Sequence, residues 1–338
     1  MDQELNPQGI LELGLSFWAS KAFLSSVELG IYTSLAAGPK SRAELATEFG
    51  LHPRSAVDFL DVLVALSLLD REGDVYSNTV LADTFLDRNK PSYVGGMLEM
   101  ANARLFGFWN NLTEALKTGE PQNESKGGGP DPFAAMYADP ENLRRFLKAM
   151  TGISTASGMA MAEAFPWKDY TSVIDIGCAE GAVPVALAKA HPHLTASGYD
   201  LPPVGPVFTE FVAEHGLSDR VTFQPGNFLE DAALPSADVL VMGHILHDWP
   251  FETKFELLQK AYEALPDGGA LIVYEALIDD DRRTNVFGLL MSLNMLIETP
   301  GGFDFTGADC QGWMSIVGFS ETRVQHLLGP DYMVIGIK

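Results

Sequence analysis

Apolar residues in the first half of the chain recur at helical spacing. Leu11, Leu15, Trp18, Phe23 and Val27 fall within a stretch, 10–35, that predicts helix. Ser41-Arg42-Ala43-Glu44 has the capping-box pattern, in which each end residue's side chain accepts from the other's backbone N–H. It predicts a short helix ending near Phe49-Gly50. His52-Pro53-Arg54 opens another, carried through Leu60, Leu63 and Leu66. Glu72-Gly73-Asp74 then predicts a turn, and Val75-Tyr76-Ser77 a short strand. Helix, turn, helix and small hairpin is the order of a winged-helix module. A Gly/Pro-rich stretch at 118–132 reads as a loop, and helical spacing resumes from Pro140 to about Phe165.

After Trp167 the period changes. Short β-rich runs at 172–176, 196–199, 221–224, 239–242, 270–274 and 332–337 alternate with helical stretches at 183–190, 206–215, 251–265 and 285–297. Such alternation predicts a mainly parallel sheet with helices on both faces. The domain boundary is placed near residue 166. Residues 1–166 then form a helical dimerisation and lid domain, and 167–338 an α/β domain.

Composition narrows the function. The 338 residues carry 45 acidic and 22 basic side chains, a net charge of −23, which argues against nucleic acid as partner even for a winged helix. The second helix of that module bears Asp58, Asp61 and Asp70 beside Arg54, a poor surface for phosphates. Cys178 and Cys310 have no CxxC spacing, so neither a disulfide framework nor a zinc cluster is expected. The start, Met1-Asp2-Gln3-Glu4, lacks the basic residues and apolar run of a signal peptide, and no run of 18 apolar residues exists. The expectation is a cytoplasmic protein without a membrane partner.

The strongest chemical signal is Val173-Ile174-Asp175-Ile176-Gly177-Cys178-Ala179-Glu180-Gly181, an apolar strand feeding a glycine turn that opens a helix. An α/β sheet places its ligand at such a turn. At the end of the next strand, Asp200 can accept hydrogen bonds from both ribose hydroxyls of an adenosine. The loop is not GxGxxG, and Glu180 is a poor neighbour for a pyrophosphate. NAD(P) therefore fits badly, whereas S-adenosylmethionine, cationic and phosphate-free, fits. Pro225-Gly226-Asn227-Phe228 follows the third strand and offers an amide and an aromatic face for adenine.

Met242-Gly243-His244-Ile245-Leu246-His247-Asp248-Trp249 follows the fourth strand. Methyl transfer to a hydroxyl needs alignment and a base, and histidine, with an ordinary pKa near ~6.5, can take the proton. Glu275 ends the neighbouring strand and is expected to orient His247. His244, His247 and Asp248 would also suit a non-haem iron site. No metal is assigned, because a histidine still on the strand three positions away points to the opposite side.

The segment from Asp175 to Gly336 resembles the class I methyltransferases. With the winged-helix module, the whole chain is similar to small-molecule O-methyltransferases of the caffeate/hydroxyindole type and their bacterial relatives. The marks are Asp175-Ile176-Gly177, Tyr199-Asp200-Leu201-Pro202, Gly226-Asn227-Phe228, His247-Asp248-Trp249, the run 263–269, and Pro300-Gly301-Gly302. The resemblance implies a Rossmann-like seven-stranded sheet with an antiparallel last strand, and an intertwined homodimer. It implies cofactor contacts at Ser154, Gly177, Asp200, Asn227 and Phe228, with Gly243 where many relatives carry lysine. It places the base at His247 with Glu275 and Asp304 as flanking carboxylates. It puts Trp109, Phe133, Met150, Met291, Met295 and Glu298 on segments lining the acceptor pocket.

The expected function is S-adenosylmethionine-dependent O-methylation of a small, aromatic acceptor. The alternatives are C- or N-methylation on the same scaffold, including metal-assisted methylation of a 2-oxo acid, and a catalytically silent S-adenosylmethionine-binding protein.

Overall fold

The structure is a computed structural model that describes residues 5–127, 137 and 139–338. It divides into two compact units, one running to Gly107 and one from Phe108 to Lys338. The division falls well before the expected boundary near 166. The long helix Pro140–Ala164 belongs to the second unit because it lies along the helix Ala182–Ala190. Gly158 makes the approach close, since a Cβ there would sit 3.2 Å from the Val183 Cα.

In the first unit, the predicted helical stretch is three helices, Gln8–Leu15, Phe17–Leu29 and Ile31–Ala36. Gly30, at φ +77°, makes the second break. The capping box forms as predicted, with the Ser41 hydroxyl accepting from the Glu44 N–H and the Glu44 carboxylate from the Ser41 N–H. Strands β1 (Lys40–Ser41), β2 (Leu69–Glu72) and β3 (Val75–Asn78) form an antiparallel sheet in the order β1-β3-β2, with the turn at Gly73. Val27, Ile31, Tyr32, Leu45, Leu60, Leu63 and Tyr76 make its core.

The second unit is built on strands β4 (Ser172–Ile176), β5 (Thr195–Asp200), β6 (Val221–Pro225), β7 (Val239–Gly243), β8 (Ala270–Glu275), β9 (Glu321–Leu328) and β10 (Asp331–Ile337). Their order is β6-β5-β4-β7-β8-β10-β9. β4 to β8 are parallel, and β10 runs antiparallel between β8 and β9. The central strands are buried on both faces, with Val239, Leu240, Val241 and Met242 fully enclosed, as the near-continuous apolar runs require. β9, the seventh strand that the resemblance implies, has no run of its own in the sequence pattern. It is an edge strand of mixed polarity, Glu321-Thr322-Arg323-Val324-Gln325-His326, largely exposed, and so lacks an alternating apolar signal. The helix Gly307–Val317, capped by Thr306, was not anticipated. No helix among the described residues is long and apolar enough to cross a membrane.

Candidate active site

The carboxyl ends of β4 to β8 carry both halves of the site. Gly177 leaves β4 at φ +74°, and its N–H donates to the Tyr199 carbonyl at 2.8 Å. Ala179 (φ +48°) and Gly181 (φ +95°) complete a loop with three left-handed residues. That backbone brings the Ala179 N–H to Asp200 Oδ2 at 3.0 Å, while Oδ1 accepts from the Leu201 N–H at 2.7 Å. Asp200 is buried, and burial pushes its pKa up to about 6 against the pull of those two donors. A carboxylate has about four acceptor positions, so two remain for a vicinal diol. Glu180 turns to the long helix, where its carboxylate accepts from the Thr151 hydroxyl at 2.7 Å. The charged side chain of the loop is thus an acid, which suits a phosphate-free, cationic nucleoside such as S-adenosylmethionine.

Phe228 lies beside this loop, its ring 3.9 Å from where a Cβ on Gly177 would stand and edge-on to Trp249. The Asn227 side-chain oxygen accepts from the Leu229 N–H at 3.0 Å, so the amide shapes its own turn. Gly243, where the resemblance implies lysine in many relatives, has no room for a side chain in this packing. A Cβ there would fall 1.9 Å from the Tyr274 ring. Ser154 of the long helix lies near enough to Tyr274 to lower its pKa, against the larger upward push of burial.

The chemical half is a buried charge cluster. His247 Nδ1 is hydrogen-bonded to Asp304 Oδ1 at 3.2 Å and lies 3.6 Å from Glu275 Oε2, while Nε2 is 3.7 Å from Asp248 Oδ1. Burial pulls the imidazole's pKa down, but Glu275, Asp248 and Asp304 outweigh it and push it up to about 9. Asp304 therefore makes the direct contact with the ring. Glu275 instead accepts at Oε1 from the backbone N–H groups of Leu246 (3.1 Å) and His247 (3.4 Å), fixing the loop itself.

His244 corrects one expectation. β7 ends at Gly243, and His244 has φ +53°, so its ring turns to the same side as His247, with centroids 5.8 Å apart. His244 Nδ1 lies 3.5 Å from Glu275 Oε2 and Nε2 lies 3.6 Å from Asp331 Oδ2. Donor atoms of His244, His247 and Glu275 all lie within 4.8 Å of one another. The reason given above for assigning no metal therefore does not hold in this geometry. Each imidazole nitrogen also faces a carboxylate, which can pair with the ring when it is protonated.

Three features support this cluster, and of them only Gly302 was marked in the sequence. Fully buried Lys254 donates to the Trp249 carbonyl at 2.5 Å and stands 3.6 Å over the Phe303 ring, tying the histidine loop to the segment bearing Asp304. Gly302 lets that segment pass close, since a Cβ there would be 2.5 Å from the His247 carbonyl. Asp331 accepts from the Ser157 hydroxyl at 2.7 Å, bringing β10 into the site. Lys254 and Asp331 are far apart in sequence, and no local pattern marks them.

The helix Val286–Glu298 carries Met291, Met295 and Glu298. It is tied to the base through Ser292 Oγ, which accepts from the Asp304 N–H at 3.2 Å. Trp109 joins it by donating from its indole to Asn294 Oδ1 at 2.9 Å. Met150 is half-buried on the long helix, one turn before Ser154. Phe133 lies outside the described residues.

Residues 109–320 match the model of the O-methyltransferase domain, and residues 11–88 that of the O-methyltransferase dimerisation domain. Over 333 residues the chain is 45% identical to the tetracenomycin polyketide synthesis 8-O-methyl transferase TcmO of Streptomyces glaucescens, covering 98% of this chain and 97% of that protein. It is 36% identical to the N,N-dimethyltransferase OxyT of Streptomyces rimosus, covering 98% and 96%. The crystal structure of human N-acetylserotonin methyltransferase in complex with S-adenosylmethionine superposes with a TM-score of 0.90 at 26% identity, over 100% of this chain and 99% of that one. With both domains matched and relatives aligned nearly end to end, the chain belongs to the S-adenosylmethionine-dependent O-methyltransferase family of the hydroxyindole type.

Proposed function

We propose that the chain methylates a phenolic hydroxyl of a fused-ring aromatic polyketide, with His247 as general base. The observation that carries this reading is the buried imidazole whose Nδ1 is held by Asp304 while Nε2 stands 3.7 Å from Asp248, beyond hydrogen-bond reach. The substrate class is supported by the 45% identity to a polyketide O-methyltransferase. Met291, Met295 and Trp109 offer polarisable and aromatic walls suited to a flat ring, and Met150 and Glu298 belong to the same proposed pocket.

S-adenosylmethionine, when bound, supplies a methyl group on a sulfonium that an oxygen nucleophile displaces. Asp200 holds the ribose diol, and Phe228 offers adenine a face. Asn227, Ser154, Gly177 and Gly243 border the same space. His247 Nε2 takes the phenolic proton as the C–O bond forms and the C–S bond breaks. Asp304 keeps the Nδ1 proton in place and, with Glu275, stabilises the resulting imidazolium. Alignment of the two reactants is the larger share of the catalysis.

The reading includes a homodimer, supported by the matched dimerisation domain and by the exposed Leu11, Phe17 and Trp18 of the first unit. It also includes a cytoplasmic setting, in keeping with two free cysteines.

The test is incubation with S-adenosylmethionine and hydroxylated naphthacenes, locating the new methyl carbon by NMR. A methoxy signal that vanishes in His247→Ala is expected. Methylation of an amine, as the name of OxyT describes for that relative, or of a 2-oxo acid carbon, with hydroxyls untouched, would overturn the reading.

A further inference from the structure

His244 has no part in the proton transfer described above, yet the fold places it with care. It follows β7 directly at φ +53°, a left-handed conformation that is strained for a non-glycine residue. Strain of this kind survives where surrounding structure imposes it, and it clusters at functional sites. Here the imposing contacts are visible. The His244 backbone N–H donates to the Tyr274 carbonyl at 3.1 Å, and its ring meets the Tyr274 ring edge-on at 5.0 Å. Its two ring nitrogens point to Glu275 and Asp331.

From this arrangement we propose that His244 is a positioning residue for methyl transfer: as a cation between Glu275 and Asp331, it engages Glu275 and so leaves His247 to Asp304. The inference rests on His247 being the base.

The charges on every side support it. Glu275 faces His244 from β8, Asp331 from β10 with Ser157 of the long helix behind it, Tyr274 from β8, and His247 from its own loop. Asp248 and Asp304 face His247 from the other side, and Lys254 stands beyond them. Burial works against a charge on His244, but Asp331 and Glu275 overcome it and push its pKa up to about 10. With a carboxylate at each of its two ring nitrogens and no assigned proton transfer, His244 is the group that stays cationic when His247 gives up its proton. Its positive charge, 3.5 Å from the shared Glu275 oxygen, opposes protonation of the neighbouring ring and keeps that ring's pKa from climbing further. Without His244, Glu275 would pair wholly with His247 and hold its proton to higher pH, so that the ring would become a base only there.

The sign of the test follows. In His244→Asn and His244→Phe, the acidic limb of the pH–kcat profile moves to higher pH. A shift of one pH unit costs roughly tenfold in rate on the acidic limb, with the rate recovering on the alkaline side. S-adenosylhomocysteine affinity, measured calorimetrically, stays within about threefold of the parent, because His244 is not assigned to the cofactor. An equal loss of rate at every pH, or an unchanged profile, overturns the inference.

NMR titration of the imidazoles in the unaltered protein supplies a test that no folding failure can spoil. His244 must remain protonated to higher pH than His247; if it is neutral while His247 is charged, the inference is wrong. Failure of the underlying reading looks different. If His247→Ala keeps its activity, the base assignment falls. If His247→Ala is inactive but the His244 variants lose rate uniformly, only the role of His244 falls.

Discussion

His247 Nδ1 lies 3.2 Å from Asp304 and 3.6 Å from Glu275, so the aspartate and not the glutamate holds the ring by a hydrogen bond. The two acids divide the work that a single orienting partner was expected to do. Asp304 contacts the ring at Nδ1, and Glu275 fixes the backbone from which the ring projects.

Asp304→Asn keeps the shape but removes the charge that stabilises the imidazolium. A loss of about 10²–10⁴ in kcat is expected, the usual span for a general-base contribution, with KM for the cofactor nearly constant. Steady-state kinetics on the purified variant decides it. Activity equal to the parent would assign the orienting role elsewhere.

The raised His247 pKa fixes the direction of the pH response. Below about 9 the ring is mainly protonated, so kcat/KM should increase as pH rises toward that value and level off above it. Since the folded-state pKa is raised, the base form is lost as pH falls, not gained. A profile flat from neutral to strongly alkaline pH would exclude His247 as the titrating base.

Asp200 is the cofactor's main polar anchor in this reading. Asp200→Ala removes an acceptor for the ribose hydroxyls and frees the Ala179 and Leu201 N–H groups. Hydrogen bonds to a charged group contribute about 1.5–3 kcal/mol, so calorimetry with S-adenosylhomocysteine should show weakening of roughly tenfold to a hundredfold. Unchanged affinity would move the cofactor site away from this loop.

Gly243 is tightly confined by Tyr274. Even Gly243→Ala requires the ring to move, and overpacking of this kind costs about 1–3 kcal/mol. A lower midpoint in chemical denaturation is expected. A variant as stable as the parent would mean that the ring has room to yield.

The facing histidines make chelation informative. Activity should survive prolonged dialysis against EDTA, because His244 and His247 are assigned to carboxylate partners and not to a cation. Loss on dialysis with recovery on adding one divalent metal would reassign the cluster.

The sequence by itself determined the periodic features of this protein. The alternation after Trp167 foretold β4 to β8 and β10, since buried parallel strands must be continuous apolar runs. The capping box at Ser41 and the glycine turn at Gly177 were legible because short-range hydrogen bonding and left-handed backbone demand particular residues. Asp200 and His247 were legible as motif residues at strand ends.

Only the tertiary structure decided the rest. β9 is an exposed edge strand held by pairing with β10, not by its own pattern. The unit boundary at Gly107 depends on which sheet the long helix covers. His244 was expected to point away, and a single left-handed residue turned it inward. Its partners Glu275 and Asp331, together with Asp304 and Lys254, come from distant segments, and their charges interact because folding removes them together from water. Electrostatics of this kind depends on distance and burial, neither of which is a local property of the chain.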